Sequence, residues 1–78
     1  SNFLIQNKKH EILQSLTERE VEVLQMIIQE FTTQEIADKL FISRHTVESH
    51  KKNLFKKTGQ KSLVGLVKFS ISHQLIDL

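Results

Sequence analysis

The sequence predicts an all-α fold, a small four-helix bundle, from three observations. It holds no proline and only two glycines, Gly59 and Gly65. Two stretches, "TERE" and "TTQE", set a threonine three residues ahead of a glutamate, as in a capping box where hydroxyl and carboxylate each satisfy an orphan amide at a helix start. Apolar residues then recur at the three-and-four spacing of a helix face buried on one side.

The first box, Thr17 to Glu20, opens a helix over about residues 18–30 with Val23, Leu24, Ile27 and Ile28 on one face. The second, Thr32 to Glu35, opens a short helix over about 33–40 with Ile36, Ala37 and Leu40 inward. Ser43 is the expected N-cap of a third helix that runs to Lys57 and stops at Thr58-Gly59, where glycine accepts a left-handed conformation. Val47 and Leu54, seven apart, fall on its buried side. Ser62 caps a fourth helix over roughly 63–73, and the closing "QLIDL" is expected to fold Leu75 and Ile76 back onto the bundle. The domain is expected over residues 16–78, preceded by residues 1–15 as either a linker or an extra helical turn; Ser1-Asn2 resembles a scar left by removal of an expression tag.

Size and composition narrow the function classes. A chain of 78 residues buries only roughly 60% of the surface its unfolded form exposes, which argues against a deep substrate cavity. There is no cysteine, so disulfides and thiolate metal sites are excluded and a reducing, cytoplasmic setting is expected. No apolar stretch reaches the ~20 residues needed to span a bilayer, and the start lacks the apolar centre of a signal peptide. An enzyme is not expected: no cysteine nucleophile, glycine-rich phosphate loop or metal-ligand spacing occurs, and His45 and His50, five apart, point in different directions. No cofactor or metal is implied. With neither Trp nor Tyr there is no stacking platform for single-stranded nucleic acid.

Charge is unevenly placed. Residues 1–43 carry four cations against seven acids, net −3, whereas residues 44–61 carry six cations against Glu48 alone, net +5. A basic segment beside an acidic one suits a polyanion on one face. The short helix, tight turn at "LFIS" and longer basic helix have the layout of a helix-turn-helix, whose second helix lies in the DNA major groove between two phosphate walls. At ~100° per residue, Arg44, Glu48, Lys51, Lys52 and Lys56 are expected to share the side opposite Val47 and Leu54, with Ser49 at its edge. The ordinary alternative is a solvated outer face of a bundle helix.

The stretch "LTEREVEVLQMIIQEFTTQEIADKLFISRHTVESHKKNLFKKTG" closely resembles the LuxR-type helix-turn-helix family, which includes the NarL and FixJ response regulators. The family pattern runs approximately L-T-x-R-E-x-E-V-L, then E-I-A-x-x-L-x-I-S, then T-V-x-x-H-x-x-N-[IL]-x-x-K-x-G. Leu16, Thr17, Arg19, Glu20, Glu22, Val23, Leu24, Glu35, Ile36, Ala37, Leu40, Ile42, Ser43, Thr46, Val47, His50, Asn53, Leu54, Lys57 and Gly59 match it. The resemblance implies a DNA-binding output domain of a transcription regulator, a weak homodimer through the last helix, and RNA polymerase as a candidate partner. Base-reading positions would be Glu48, Ser49 and Lys52; phosphate contacts would come from Arg44, Thr46, His50, Lys51 and Lys56; the dimer seam would hold Leu63, Val64 and Val67. Arg19, Glu20 and Glu22 are expected to be structural.

Some positions depart from the pattern. Glu48 stands where a basic residue is common, Glu30 where glycine is, Leu63 where arginine is, and Thr58 and Gln60 where Leu and Val are. A carboxylate in the groove repels phosphate but accepts a hydrogen bond from a cytosine amino group, so Glu48 implies altered base preference. The competing expectation is a helix-turn-helix fold reused for protein interaction without DNA binding.

Overall fold

The computed structural model describes residues 11–12 and 14–75; the expectations for residues 1–10 and for Ile76 lie outside them. Four helices follow in order, α1 Glu18–Ile28, α2 Thr33–Leu40, α3 Arg44–Thr58 and α4 Leu63–Ser72, with no strand among the described residues. Ahead of them, residues 11–12 and 14–15 are also helical, and Ile12 and Leu16 join the core.

Every helix start is held by the expected side chain. Thr17 and Thr32 accept from the amides of Glu20 and Glu35, and both glutamates return a carboxylate to the threonine amide, so the two capping boxes are complete. Ser43 accepts from the Thr46 amide and Ser62 from the Gly65 amide.

The helix ends are less ordinary. α1 stops at Ile28, two residues before the expected end, because Glu30 turns left-handed at φ 67°. The Glu30 amide then reaches Ile27 O at 2.9 Å and the Phe31 amide reaches Met26 O at 3.0 Å, the paired bonds of a Schellman end. Phe41 (φ 56°) and Gln74 (φ 54°) end α2 and α4 in the same conformation, and Gly59 (φ 73°) ends α3. After Glu30, Phe41 and Gln74 the chain turns back towards the bundle, so that Phe31, Ile42 and Leu75 pack on the core.

α3 is the central element, packed against α1, α2 and α4. Val23, Leu24, Ile36, Val47, Leu54 and Leu66 are fully buried at the middle of the cluster. Two buried hydroxyls are satisfied within their own helices, Thr58 to Leu54 O and Ser70 to Leu66 O, each at 2.7 Å.

One ion pair ties the start of α1 to the end of α3. Lys57 Nζ donates to Glu20 Oε1 and to the Ser15 carbonyl, both at 2.6 Å, with the Glu20 side chain only 3% exposed. Lys57 is thereby turned into the bundle, away from any ligand on the outer face of α3. Arg19 and Glu22 pair at 3.0 Å on the surface.

Burial pushes the Glu20 carboxyl up. It is nevertheless held below its ordinary value of 4.5, because the Lys57 hydrogen bond, the Thr17 amide and the charges of Lys57 and His50 together outweigh burial. Glu35 is lowered in the same direction by its hydrogen bonds with Thr32. A carboxyl lowered on folding contributes stability that is complete above its unfolded value and is lost as pH falls through the folded one. The melting temperature is therefore expected to drop on acidification below about pH 4.5. In Glu20→Gln the curve should start lower at neutral pH and fall less steeply. An acid response as steep as that of the wild type would remove Glu20 from this role.

Candidate nucleic-acid interface

Helix α3 presents two unlike sides. Val47, Leu54 and Thr58 are buried along one line. At ~100° per residue the opposite line holds His45, Ser49, Lys52 and Lys56, all exposed. Arg44 and Glu48 are exposed on one flank and Asn53 on the other, while Thr46 and His50 are half-buried beside the core. Ser43 caps the helix start and lies 2.9 Å from the Thr46 hydroxyl, which settles the first turn. With 15 residues at 1.5 Å each, the helix is about 22 Å long, enough to lie along a major groove.

Of the residues expected opposite Val47 and Leu54, only Lys52 and Lys56 lie there; Arg44 and Glu48 are on a flank, and Lys51, four residues past Val47, falls by helical spacing only about 40° from the buried line. Lys51 is half-buried and turned towards α2, its Nζ 2.6 Å from Thr33 Oγ1. The same hydroxyl donates to Glu48 Oε1 at 3.1 Å, so Glu48 is exposed but tethered. Of the six cations in residues 44–61, Lys51 and Lys57 are thus engaged with neighbouring elements, whereas Arg44, Lys52, Lys56 and Lys61 are exposed.

His45 was not among the sequence candidates, yet it occupies the centre of the outer line in the first turn of α3. Its helical offset from Ser49 and Lys52 is the signal that marks it. Thr33 has no such signal, because its partners lie 15 and 18 residues away.

Helix α4 carries a second exposed feature. Leu63, Val64 and Ile71 are 51%, 64% and 44% exposed, and Val67 is half-buried between them. Ile71 extends by helical spacing the stripe expected from Leu63, Val64 and Val67. The stripe borders an open groove of about 550 Å³, walled on its other side by Ile27, Ile28 and Phe31. Among the described residues no group of three or more His, Cys, Asp and Glu side chains is placed to hold a metal ion, and no helix is long and apolar enough to cross a membrane.

A short capped helix, a tight turn and a longer helix with an exposed basic line define the helix-turn-helix class of DNA-binding domain. The chain belongs to the luxR family of bacterial regulatory proteins, whose family model matches residues 14–70. It is 37% identical over 71 residues to the oxygen regulatory protein NreC of Staphylococcus carnosus (strain TM300), covering 91% of this chain and 33% of that protein. To NreC of Staphylococcus aureus (strain JH9) it is 40% identical over 62 residues, covering 80% of this chain and 29% of that protein. Among solved structures, the response regulator ChrA of a heme-sensing two-component system superposes with a TM-score of 0.74 at 33% identity, over 78% of this chain and 30% of the other. The chain spans about a third of the length of these curated relatives. As a member of this family it is a DNA-binding domain of a transcriptional regulator and not an enzyme.

Proposed function

We propose that the domain reads a specific duplex sequence with α3 in the major groove and works as a cytoplasmic output module whose placement on DNA is sensed by RNA polymerase. The observation that carries this reading is the exposed line of Ser49, Lys52 and Lys56 directly opposite fully buried Val47 and Leu54. A helix anchored so firmly on one side offers its other side as a rigid probe.

Glu48, Ser49 and Lys52 read base edges, since they are exposed near the middle of the helix where the groove floor lies. Arg44, Thr46, His50, Lys51 and Lys56 serve the phosphate walls, Thr46 and His50 from one flank and Lys51 from the edge next to α2. Leu63, Val64 and Val67 form the seam of a weak dimer, which sets two α3 helices in successive major grooves about 10 base pairs apart.

Fluorescence anisotropy with an unselected duplex tests the core of this reading. Affinity is expected to fall with salt at a log–log slope of about −4, near −0.9 for each phosphate neutralised. The Lys52→Ala, Lys56→Ala double variant should bind more weakly, with a slope shallower by about 1 to 2. A flat salt response overturns the reading, and absence of binding at low salt would move the domain to the protein-interaction class.

A further inference from the structure

We infer that Thr33, at the start of α2, and Lys51 form a hydrogen-bond relay that fixes Glu48 as an acceptor for one cytosine, so that base preference is set partly by a residue outside α3. The inference rests on the reading of α3 as the DNA-reading helix. Its basis is the pair of bonds at Thr33 Oγ1, which accepts from Lys51 Nζ at 2.6 Å and donates to Glu48 Oε1 at 3.1 Å.

The chemistry permits one direction only. A lysine ammonium has protons to give and no lone pair, so the Thr33 oxygen must accept from it. The hydroxyl has a single proton left, and the ionised Glu48 carboxylate is an acceptor only. Lys51 therefore orients the hydroxyl, and the hydroxyl orients the carboxylate. The positive charge on Lys51 also polarises the O–H and strengthens the second bond.

This arrangement is not what the charges alone would produce. Glu48 and Lys51 lie three apart on α3, a spacing at which opposite charges commonly pair, yet a threonine from another helix stands between them. Glu48 Oε1 is occupied by that threonine, whereas among the described residues its Oε2 accepts no hydrogen bond. Glu48 itself is exposed on the flank next to Lys52.

An unpinned glutamate at this position would be repelled by the phosphate walls and would lose rotamer freedom on meeting a base. A pinned one is already ordered and offers a fixed lone pair. In the major groove the usual partner of a carboxylate is the cytosine N4 amino group; adenine also offers an amino group, but beside its N7 acceptor, and thymine at the same place as cytosine presents a carbonyl oxygen and a methyl group. Thr33 and Lys51 are in this sense positioning residues, and Glu48 is the group that touches the base.

Selection of bound sequences from a randomised duplex pool tests the relay. With the wild-type chain, one position in each half-site is expected to favour cytosine over thymine by about tenfold. Glu48→Ala should flatten that position, and Thr33→Val, which keeps the shape and removes the hydroxyl, should reduce its preference to about twofold while other positions keep theirs. Thr33→Ser, which restores the hydroxyl, should restore the preference. Lys51→Met leaves the hydroxyl free to turn and should reduce the cytosine preference at the same position, on top of a uniform affinity loss from its phosphate contact that leaves the other preferences unchanged. If Glu48→Ala flattens the position and Thr33→Val does not, the relay is refuted and base reading by Glu48 stands. If Thr33→Val weakens every position equally, Thr33 acts on folding or docking and the relay is again refuted. If Glu48→Ala changes no position, base reading by Glu48 falls and the relay with it.

Discussion

Leu54→Ala is expected to remove about 3 kcal/mol of folding stability, within the 2–5 kcal/mol range of buried Leu truncations. Leu54 is fully buried, and it sits on the one helix that packs against all three others. Truncation takes away its transfer free energy and leaves a cavity that three rigid neighbours cannot all close. A domain of this size is stable by only about 4–12 kcal/mol, so the loss is a large share of the total. Urea unfolding followed by far-UV circular dichroism measures it. Leu54→Met, which conserves volume, should cost less than about 1.5 kcal/mol. Lys52→Ala, two residues earlier on the exposed line, should stay within about 0.5 kcal/mol. If Leu54→Ala cost no more than Lys52→Ala, the two sides of α3 would not differ as described.

Val64→Asp is expected to lower affinity for a duplex carrying two half-sites by about a hundredfold and to leave affinity for a single half-site unchanged. The gain from two linked sites comes from effective concentration, which disappears when the link breaks. In a two-fold interface the same patch faces itself, so one substitution places two carboxylates in an apolar seam. Folding is not at risk. Val64 is 64% exposed, and an acid in the first turn of α4, two residues past the Ser62 cap, interacts favourably with the helix dipole. Anisotropy titrations on selected one-site and two-site duplexes separate the outcomes. Equal affinity of wild type and variant for the two-site duplex would show that the α4 stripe is not the seam.

Helix starts were legible in the sequence because an N-cap is a local event. A threonine or serine bonds an amide three residues ahead whatever the rest of the chain does. All four caps, Thr17, Thr32, Ser43 and Ser62, stand where the sequence places them. The buried line of α3 was legible for a similar reason, since a helical repeat fixes which residues share a face. Helix ends fell within a residue of expectation at Leu40, Thr58 and Ser72, but only Gly59 announced the left-handed backbone that makes them. Glu30, Phe41 and Gln74 take left-handed backbone that costs a non-glycine residue roughly 1 kcal/mol, and nothing local signals it. They hold it because the residues that follow, Phe31, Ile42 and Leu75, gain apolar burial on the bundle.

The candidate interface divides along the same line. Sequence alone determined that the chain makes four capped helices with an exposed basic stretch on the third, because caps, periodicity and charge act over a few residues. Helical spacing also sets Lys52 and Lys56 opposite the buried line and Lys51 close beside it; only the tertiary structure decided which partners the inward-turned cations take. Lys57 is drawn in by Glu20, 37 residues away, and Lys51 by Thr33, 18 residues away. A flexible lysine side chain takes the partner that packing brings within reach. No helical repeat records where that partner will be.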